Sequence, residues 1–377
     1  MDALASTPKA SIYPKRLVLL LGKRDTPADG VQDYCEYLAQ GLQRRGIETE
    51  IARVAWDSEG WIHALQKLWR QSATWDGAWI VLQYTALSWS RRGFPLGVLA
   101  VLLNLRRRKL RCAAVFHEAW RQGGSKWIGR VRGAFQNWII RRIHSETDIA
   151  IFADPLDRID WLPNDRTRAV FIPIGANLPE PQTPIEASKV KTETQVVAIY
   201  CLSDPPNLST EVNDISHAVR IAANGTKLQV VFVGRGTTEA RQEIKRAFDG
   251  ALVEVSVLGV RDAPEVRDVL SNSDVMLCVR GVMNPRRGSA IAGIACGLPI
   301  LGYGTNETAF PISEAGVRLF PYRDAETLGK NLAQVLNDAR LREQLSAASR
   351  AAQEKFFSWD VIADRMIEAL SRPHERA

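Results

Sequence analysis

The sequence predicts an α/β protein made of two doubly wound, Rossmann-type halves. Three observations carry that prediction. Short apolar, β-branched runs alternate with longer stretches of helical periodicity, the order expected of parallel sheets covered by helices. The chain has 377 residues, and at roughly 100–200 residues per domain that length favours two domains. Between the two series of strands lies Leu178–Thr194, with three prolines, several charges and no apolar period, which reads as a linker.

The elements follow in order. In the first half, strands are expected at Leu17–Leu21, Ile80–Gln83, Ala113–Phe116, Ile149–Phe152 and Val170–Ile172. In the second they are expected at Val196–Tyr200, Val230–Val233, Leu252–Val257, Val275–Val279, Ile300–Gly302 and Arg318–Phe320. Val31–Arg45 reads as an amphipathic helix with Val31, Tyr34, Cys35, Leu38 and Leu42 on one face. The first domain is thus expected over residues 1–177 and the second over 195–357, with a final helix, 358–377, crossing back onto the first. Two such halves place the default ligand site in a central cleft, at the carboxyl ends of both sheets.

Composition narrows the function classes. At 46% hydrophobic and 24% charged residues, the chain is neither collagen-like, coiled-coil nor wholly disordered. No apolar run reaches the ~20 residues of a membrane-spanning helix. The first fifteen residues lack a signal-peptide core, so a cytoplasmic protein is expected. Five scattered cysteines, never paired as C-x-x-C, suggest reduced core thiols, and neither a disulfide framework nor a metal site.

Four segments could carry chemistry. Gly30 opens a helix directly after the first strand and its loop, where free N–H groups favour a phosphate; a plain strand–helix loop is the bland alternative. His117-Glu118 follows the strand Ala113–Phe116, where an imidazole could exchange a proton or bind a sugar hydroxyl. Trp120 nearby could stack on a sugar or simply pack. Gly234-Arg235-Gly236 ends another strand, with Arg235 available to a phosphate, although turn chemistry explains those glycines equally well. The most informative run is Arg280–Ser289, RGVMNPRRGS. Gly288 and Ser289 suit a helix N-terminus, and Arg280, Arg286 and Arg287 around it could neutralise a pyrophosphate. Glu307, in the next glycine-rich loop, is a possible hydroxyl acceptor.

Charge is distributed unevenly. Ala86–Ser145 holds thirteen Lys and Arg against one acidic residue, whereas the remainder of the chain holds 36 against 41. Within it, an apolar run ends in Arg106, Arg107, Arg108 and Lys109. Further on, Trp127, Val131, Ala134/Phe135 and Trp138 recur at helical spacing with Lys126, Arg130, Arg132, Arg141 and Arg142 around them. An apolar wedge with a cationic flank suits an anionic membrane surface, with a core-packed helix and a wet basic face as the ordinary alternative. No nucleic-acid-reading module is recognisable.

With these residues in place, the chain resembles a two-domain glycosyltransferase of the GT-B fold, in its large family-4-like group, over about Arg16 to Leu370. The resemblance rests on the opening strand and Gly30 loop, FHE at Phe116–Glu118, IPIGAN at Ile172–Asn177 and VGRG at Val233–Gly236. It also rests on RRGSAIAGIACGLPIL at Arg286–Leu301 and FSW at Phe357–Trp359. It implies a sugar moved from a nucleotide-sugar, UDP- or GDP-linked, to a lipid-linked or growing glycan acceptor, with no metal or other cofactor and retention of anomeric configuration. By the same resemblance His117 belongs near the transferred sugar, and the Gly30 loop, Arg235 and the Arg286–Ser289 turn near the donor diphosphate; Glu118 is the further catalytic candidate, and Gly234, Asn284 and Glu307 the further donor-site candidates. Many members of the group carry two glutamates where this chain has Asn284 and Ala292. Two alternative readings therefore accompany the transferase: a catalytically silent scaffold, and a sugar-nucleotide epimerase.

Overall fold

The computed structural model describes residues 13–22, 30–119, 127–179, 194–204, 206–223 and 227–372. The loop Lys23–Asp29, Trp120, Lys126, Pro205 and residues 180–193 of the expected linker lie outside the described residues. The chain divides into two compact units, Met1–Pro173 with Trp359–Ala377, and Ile174–Ser358. The division falls a few residues before the expected one because Ala176 and Leu178 bury themselves in the second unit's core.

Unit 1 contains β1 (Arg16–Gly22), α1 (Gly30–Gln43), β2 (Glu48–Val54), α2 (Trp56–Glu59), α3 (Trp61–Gln71), β3 (Trp79–Tyr84), α4 (Gly97–Arg107), β4 (Arg111–Phe116), α5 (Trp127–Glu146), β5 (Ile149–Phe152) and β6 (Ala169–Phe171). Its strands lie side by side in the order β2-β1-β3-β4-β5-β6, all parallel. β1, β3 and β4 are apolar and buried almost throughout, as expected of parallel strands covered on both faces. α3, α4 and α5 share one core with alternate residues of β1, β3 and β4, and α1 contributes nothing to that core, the division expected of right-handed crossovers.

The sequence reading missed β2. Its run, ETEIARV, is mostly half-exposed because it is an edge strand, held by Arg16 paired to Glu48 and Glu50 and by the Trp75 indole donating to Glu50.

Unit 2 contains β7 (Gln195–Tyr200), α6 (Leu208–Ala222), β8 (Leu228–Val233), α7 (Arg241–Ala247), β9 (Glu254–Gly259), α8 (Ala263–Ser271), β10 (Val275–Val282), α9 (Gly288–Ala295), β11 (Ile300–Tyr303), α10 (Asn306–Ala309), β12 (Val317–Phe320), α11 (Ala325–Asn337) and α12 (Ala339–Ala352). Its all-parallel sheet runs β12-β11-β10-β7-β8-β9. Successive residues of β7 point to opposite faces: Val197 and Ile199 enter one core, Ala198 the other.

The last helix, α13 (Trp359–Ser371), returns to unit 1 and packs along α1. Arg45 bridges Asp360 and Asp364, and Arg44 also reaches Asp360. The two helices meet closely at Gly41, where a Cβ would lie 2.8 Å from the Trp359 carbonyl oxygen.

Candidate functional site

In each sheet the strand order reverses once, between β7 and β10 in unit 2 and between β1 and β3 in unit 1. Loops leaving the carboxyl ends of such strands diverge to opposite faces, and ligands of open α/β sheets bind in the gap they leave.

In unit 2 the reversal gathers arginines. β10 does not stop at Val279 as expected. It continues to Val282, and its register against β11 slips between Cys278 and Val282. Gly281, at φ +62°, permits this bulge, a device that re-aims side chains; here it carries Arg280. Arg235, after β8, and Arg280 both act on the Cys201 thiol at the end of β7. Arg287 and Arg280 act on the buried Cys278. Burial pushes both thiols up, and the arginines oppose that shift. The thiols stay protonated at neutral pH and so leave the nearby positive charge uncompensated.

Arg287 ends the turn. Its Nη2 donates to the Val282 carbonyl at 3.0 Å, while its buried Nε–H has no hydrogen-bond partner. Among the described residues, Arg235, Arg280 and Arg287 form no ion pair. Arg287 is also the N-cap residue of α9, and no side chain caps that end, so the helix presents its partial positive charge beside the guanidinium groups. The site can therefore hold a polyanion.

The other residues expected here take different parts. Asn284 shapes the turn: its Oδ1 accepts the Arg286 N–H at 3.0 Å and its carbonyl accepts the Arg287 N–H at 3.1 Å. Gly288 and Ser289 are the first residues of α9, with Ser289 Oγ 3.8 Å from Cys278 Sγ. Arg286 is half-buried within the turn. Gly234 donates its N–H to the Gly259 carbonyl at 2.8 Å. It sits at φ +95°, and a Cβ would fall 2.7 Å from Cys201 Sγ. Glu307 is exposed in the first turn of α10, and no described contact links it to the arginines.

In unit 1, His117 stands at the end of β4. Its N–H donates to the Tyr84 carbonyl at 3.1 Å, its Nε2 lies 2.8 Å from Gln83 Oε1, and its ring meets the Tyr34 ring edge-on at 4.8 Å. Tyr34 in turn meets Trp359 of α13 at 5.3 Å. Burial, and then the neighbouring Cys35, push the Tyr34 phenol far above its usual range. Glu118 is half-buried and its charge, after burial, helps raise the Tyr84 phenol. Gly30 is the exposed first residue of α1. The sequence reading missed Gln83, whose one signal was a polar residue inside the apolar run IVLQY.

The basic segment divides. Arg106 pairs with Glu146. Arg108 stacks 3.8 Å over the Trp69 ring and donates to its carbonyl. Those two cations, expected at a membrane, are occupied within the unit; Arg107 and Lys109 are exposed. On α5 the core side is Gly129, Gly133, Gln136, Ile139, Ile140 and Ile143. The opposite side leaves Trp127 68%, Ile128 54%, Val131 53% and Trp138 51% exposed, beside exposed Arg130 and Arg141 and beside Arg142, which shares Glu146 with Arg106.

Among the described residues, no group of three or more His, Cys, Asp or Glu could hold a metal ion, and no helix is long and apolar enough to cross a membrane.

No protein-family model matches the sequence, and no curated protein matches it. Solved structures do. HepE of Anabaena, determined with UDP and glucose, superposes with a TM-score of 0.63 at 14% identity, covering 96% of this chain and 100% of its own. WaaG, a glycosyltransferase involved in lipopolysaccharide biosynthesis, gives 0.60 at 14% identity over 95% of this chain and 100% of its own. A Listeria monocytogenes protein assigned as a UDP-N-acetylglucosamine 2-epimerase gives 0.63 at 11% identity, with 95% and 96% covered. The fold is thus the paired Rossmann-like fold of GT-B glycosyltransferases.

Proposed function

We propose that this protein is a glycosyltransferase that moves a sugar from a nucleotide-sugar, a UDP- or GDP-sugar, to a lipid-linked or growing glycan acceptor. The observation that carries this reading is the set of arginines without acidic partners, Arg235, Arg280 and Arg287, beside the uncapped start of α9 at the strand reversal of unit 2. A nucleoside diphosphate leaving group gains negative charge as the glycosidic bond breaks. Cations and helix-end N–H groups fixed in advance stabilise that charge without reorganising. With them in place the reaction proceeds without a metal ion, and the resemblance to family-4-like enzymes suggests retention at the anomeric carbon. His117 and Glu118 would serve the transferred sugar or its acceptor.

The outer face of α5 supports a place for this reaction. Its exposed tryptophans and arginines suit the anionic inner leaflet of the cell membrane, which makes the enzyme peripheral and its acceptor a lipid-linked glycan of polysaccharide or glycolipid assembly. The lipopolysaccharide enzyme among the structural neighbours is consistent with that role.

Calorimetry with UDP-, GDP-, ADP- and dTDP-sugars tests the reading. One of them binds, and Arg287→Ala with Arg280→Ala weakens it at least tenfold, as expected for lost charge-assisted hydrogen bonds of about 1.5–3 kcal/mol each. Folded protein that binds none of the four overturns the proposal. The epimerase shares the fold, so the assay includes donor alone. Donor turned over without acceptor would replace transfer by epimerisation.

A further inference from the structure

We infer that Gln83 fixes His117 as the tautomer protonated on Nε2, so that the neutral ring presents Nδ1 as its acceptor. A primary amide has one end that donates and one that accepts. Gln83 Nε2 lies 3.2 Å from the Val81 carbonyl oxygen, which can only accept, so the amide nitrogen must face Val81. Its Oε1 then faces His117, and the 2.8 Å contact there requires a proton on His117 Nε2. A neutral imidazole carries one N–H, which leaves the lone pair on Nδ1.

The amide has little freedom to turn over. Gln83 is 0% exposed, and the indole of Trp89 holds its main chain by donating to the Gln83 carbonyl at 2.8 Å. A flipped amide would set two acceptors face to face at Val81 and lose that buried bond. The His117 main chain is held by its bond to the Tyr84 carbonyl, and the ring by the edge of Tyr34. Tyr34, whose ring meets the imidazole, and the next residue, Glu118, are ionisable neighbours; neither alters which nitrogen Gln83 reads.

The consequence is chemical. A neutral His117 accepts at Nδ1, so any group that meets that atom must bring an O–H or N–H; a sugar hydroxyl can do so, and a phosphate oxyanion cannot. Gln83 is therefore a positioning residue, acting through His117. Its catalytic relevance rests on the transferase reading, whereas the tautomer does not.

The test uses the full chain labelled with 15N-histidine, with His117 assigned by the signals lost in His117→Ala. Long-range 1H–15N correlation across a pH titration should show Nε2 protonated throughout while Nδ1 alone moves. Gln83→Met, which removes the acceptor at nearly constant volume, should release Nε2 to an averaged position. Gln83→Glu, which keeps an oxygen toward the ring in either protonation state, should restore it. A neutral wild-type ring protonated on Nδ1, or an Nε2 still pinned in Gln83→Met, overturns the inference. The wild-type titration decides alone if the Met variant does not fold. In a transfer assay, Gln83→Met should lose about tenfold or more in kcat, the low end of a general-base contribution, with donor KM little changed and Gln83→Glu recovering. An inactive wild type would count against the transferase and leave the tautomer measurement intact.

Discussion

Trp359 gives the most direct test of how the C-terminal helix supports unit 1. The side chain is 2% exposed, meets Tyr34 edge-on at 5.3 Å and stacks on Tyr37 at 5.8 Å. Trp359→Ala should cost about 3–5 kcal/mol, the usual range for emptying a buried aromatic site. The upper half of that range is expected, because the space cannot close by bringing α1 and α13 together: their backbones already touch at Gly41. Over a unit of about 190 residues, roughly 2–4 °C of melting temperature is lost per kcal/mol, so a cost near 4–5 kcal/mol lowers the unit's melting temperature by roughly 8–20 °C. All eleven tryptophans fall within unit 1. Intrinsic fluorescence therefore reports the unfolding of that unit without a contribution from the other, and ten tryptophans remain in the variant. Trp359→Phe, which keeps a ring against Tyr34, should recover at least half of the loss. A fall below about 3 °C for Trp359→Ala would show that α13 does not support unit 1 through this ring, and the link from Trp359 through Tyr34 to His117 would fail with it.

Two further outcomes are expected. Burial pushes the Asp360 carboxyl up, but hydrogen bonds from Arg45 and Arg44 outweigh it and hold the group below the ordinary carboxylate range. The unfolded chain therefore binds the proton first, and the contribution to stability is present above about pH 4 and lost as pH falls through the folded value. A fluorescence melt of unit 1 between pH 5 and pH 3 should fall less steeply in Asp360→Asn than in wild type; parallel curves would remove Asp360 from the acid response. On the other face of the unit, Trp127→Glu with Arg130→Glu should weaken sedimentation with phosphatidylglycerol vesicles by about tenfold or more, since each basic residue near an anionic surface contributes about 1 kcal/mol. Arg106→Glu, whose cation is already paired to Glu146, should weaken it less, and an equal loss would refute the division of the basic segment.

The sheets were legible because their central strands are apolar on both faces, so runs such as Leu17–Leu21 and Ile149–Phe152 stand out against amphipathic neighbours. β2 did not stand out for the converse reason: an edge strand need satisfy one neighbour only, and its Glu48 and Glu50 read as loop until Arg16 and Trp75 are seen to meet them. Chemistry followed a similar rule. Arg286 and Arg287 could be picked out by type and by the helix they precede, but the grouping of Arg235, Arg280 and Arg287 depends on the bulge in β10 and on which strands adjoin at the reversal. Neither is written in local spacing.

Gln83 and Arg108 show the remaining limit from opposite sides. A polar residue within an apolar strand must find a buried partner, so the run IVLQY signalled that Gln83 had one, though not that it was His117, thirty-four residues away. Four consecutive cations signalled charge, but two of the four are occupied by Glu146 and the face of Trp69, neither adjacent in sequence. A residue type states what a side chain requires or can offer, whereas long-range topology decides what it meets. For that reason the direction of the hydrogen bond at His117 could be obtained from Val81 and Gln83 in the fold, while the sequence alone left donor and acceptor roles open.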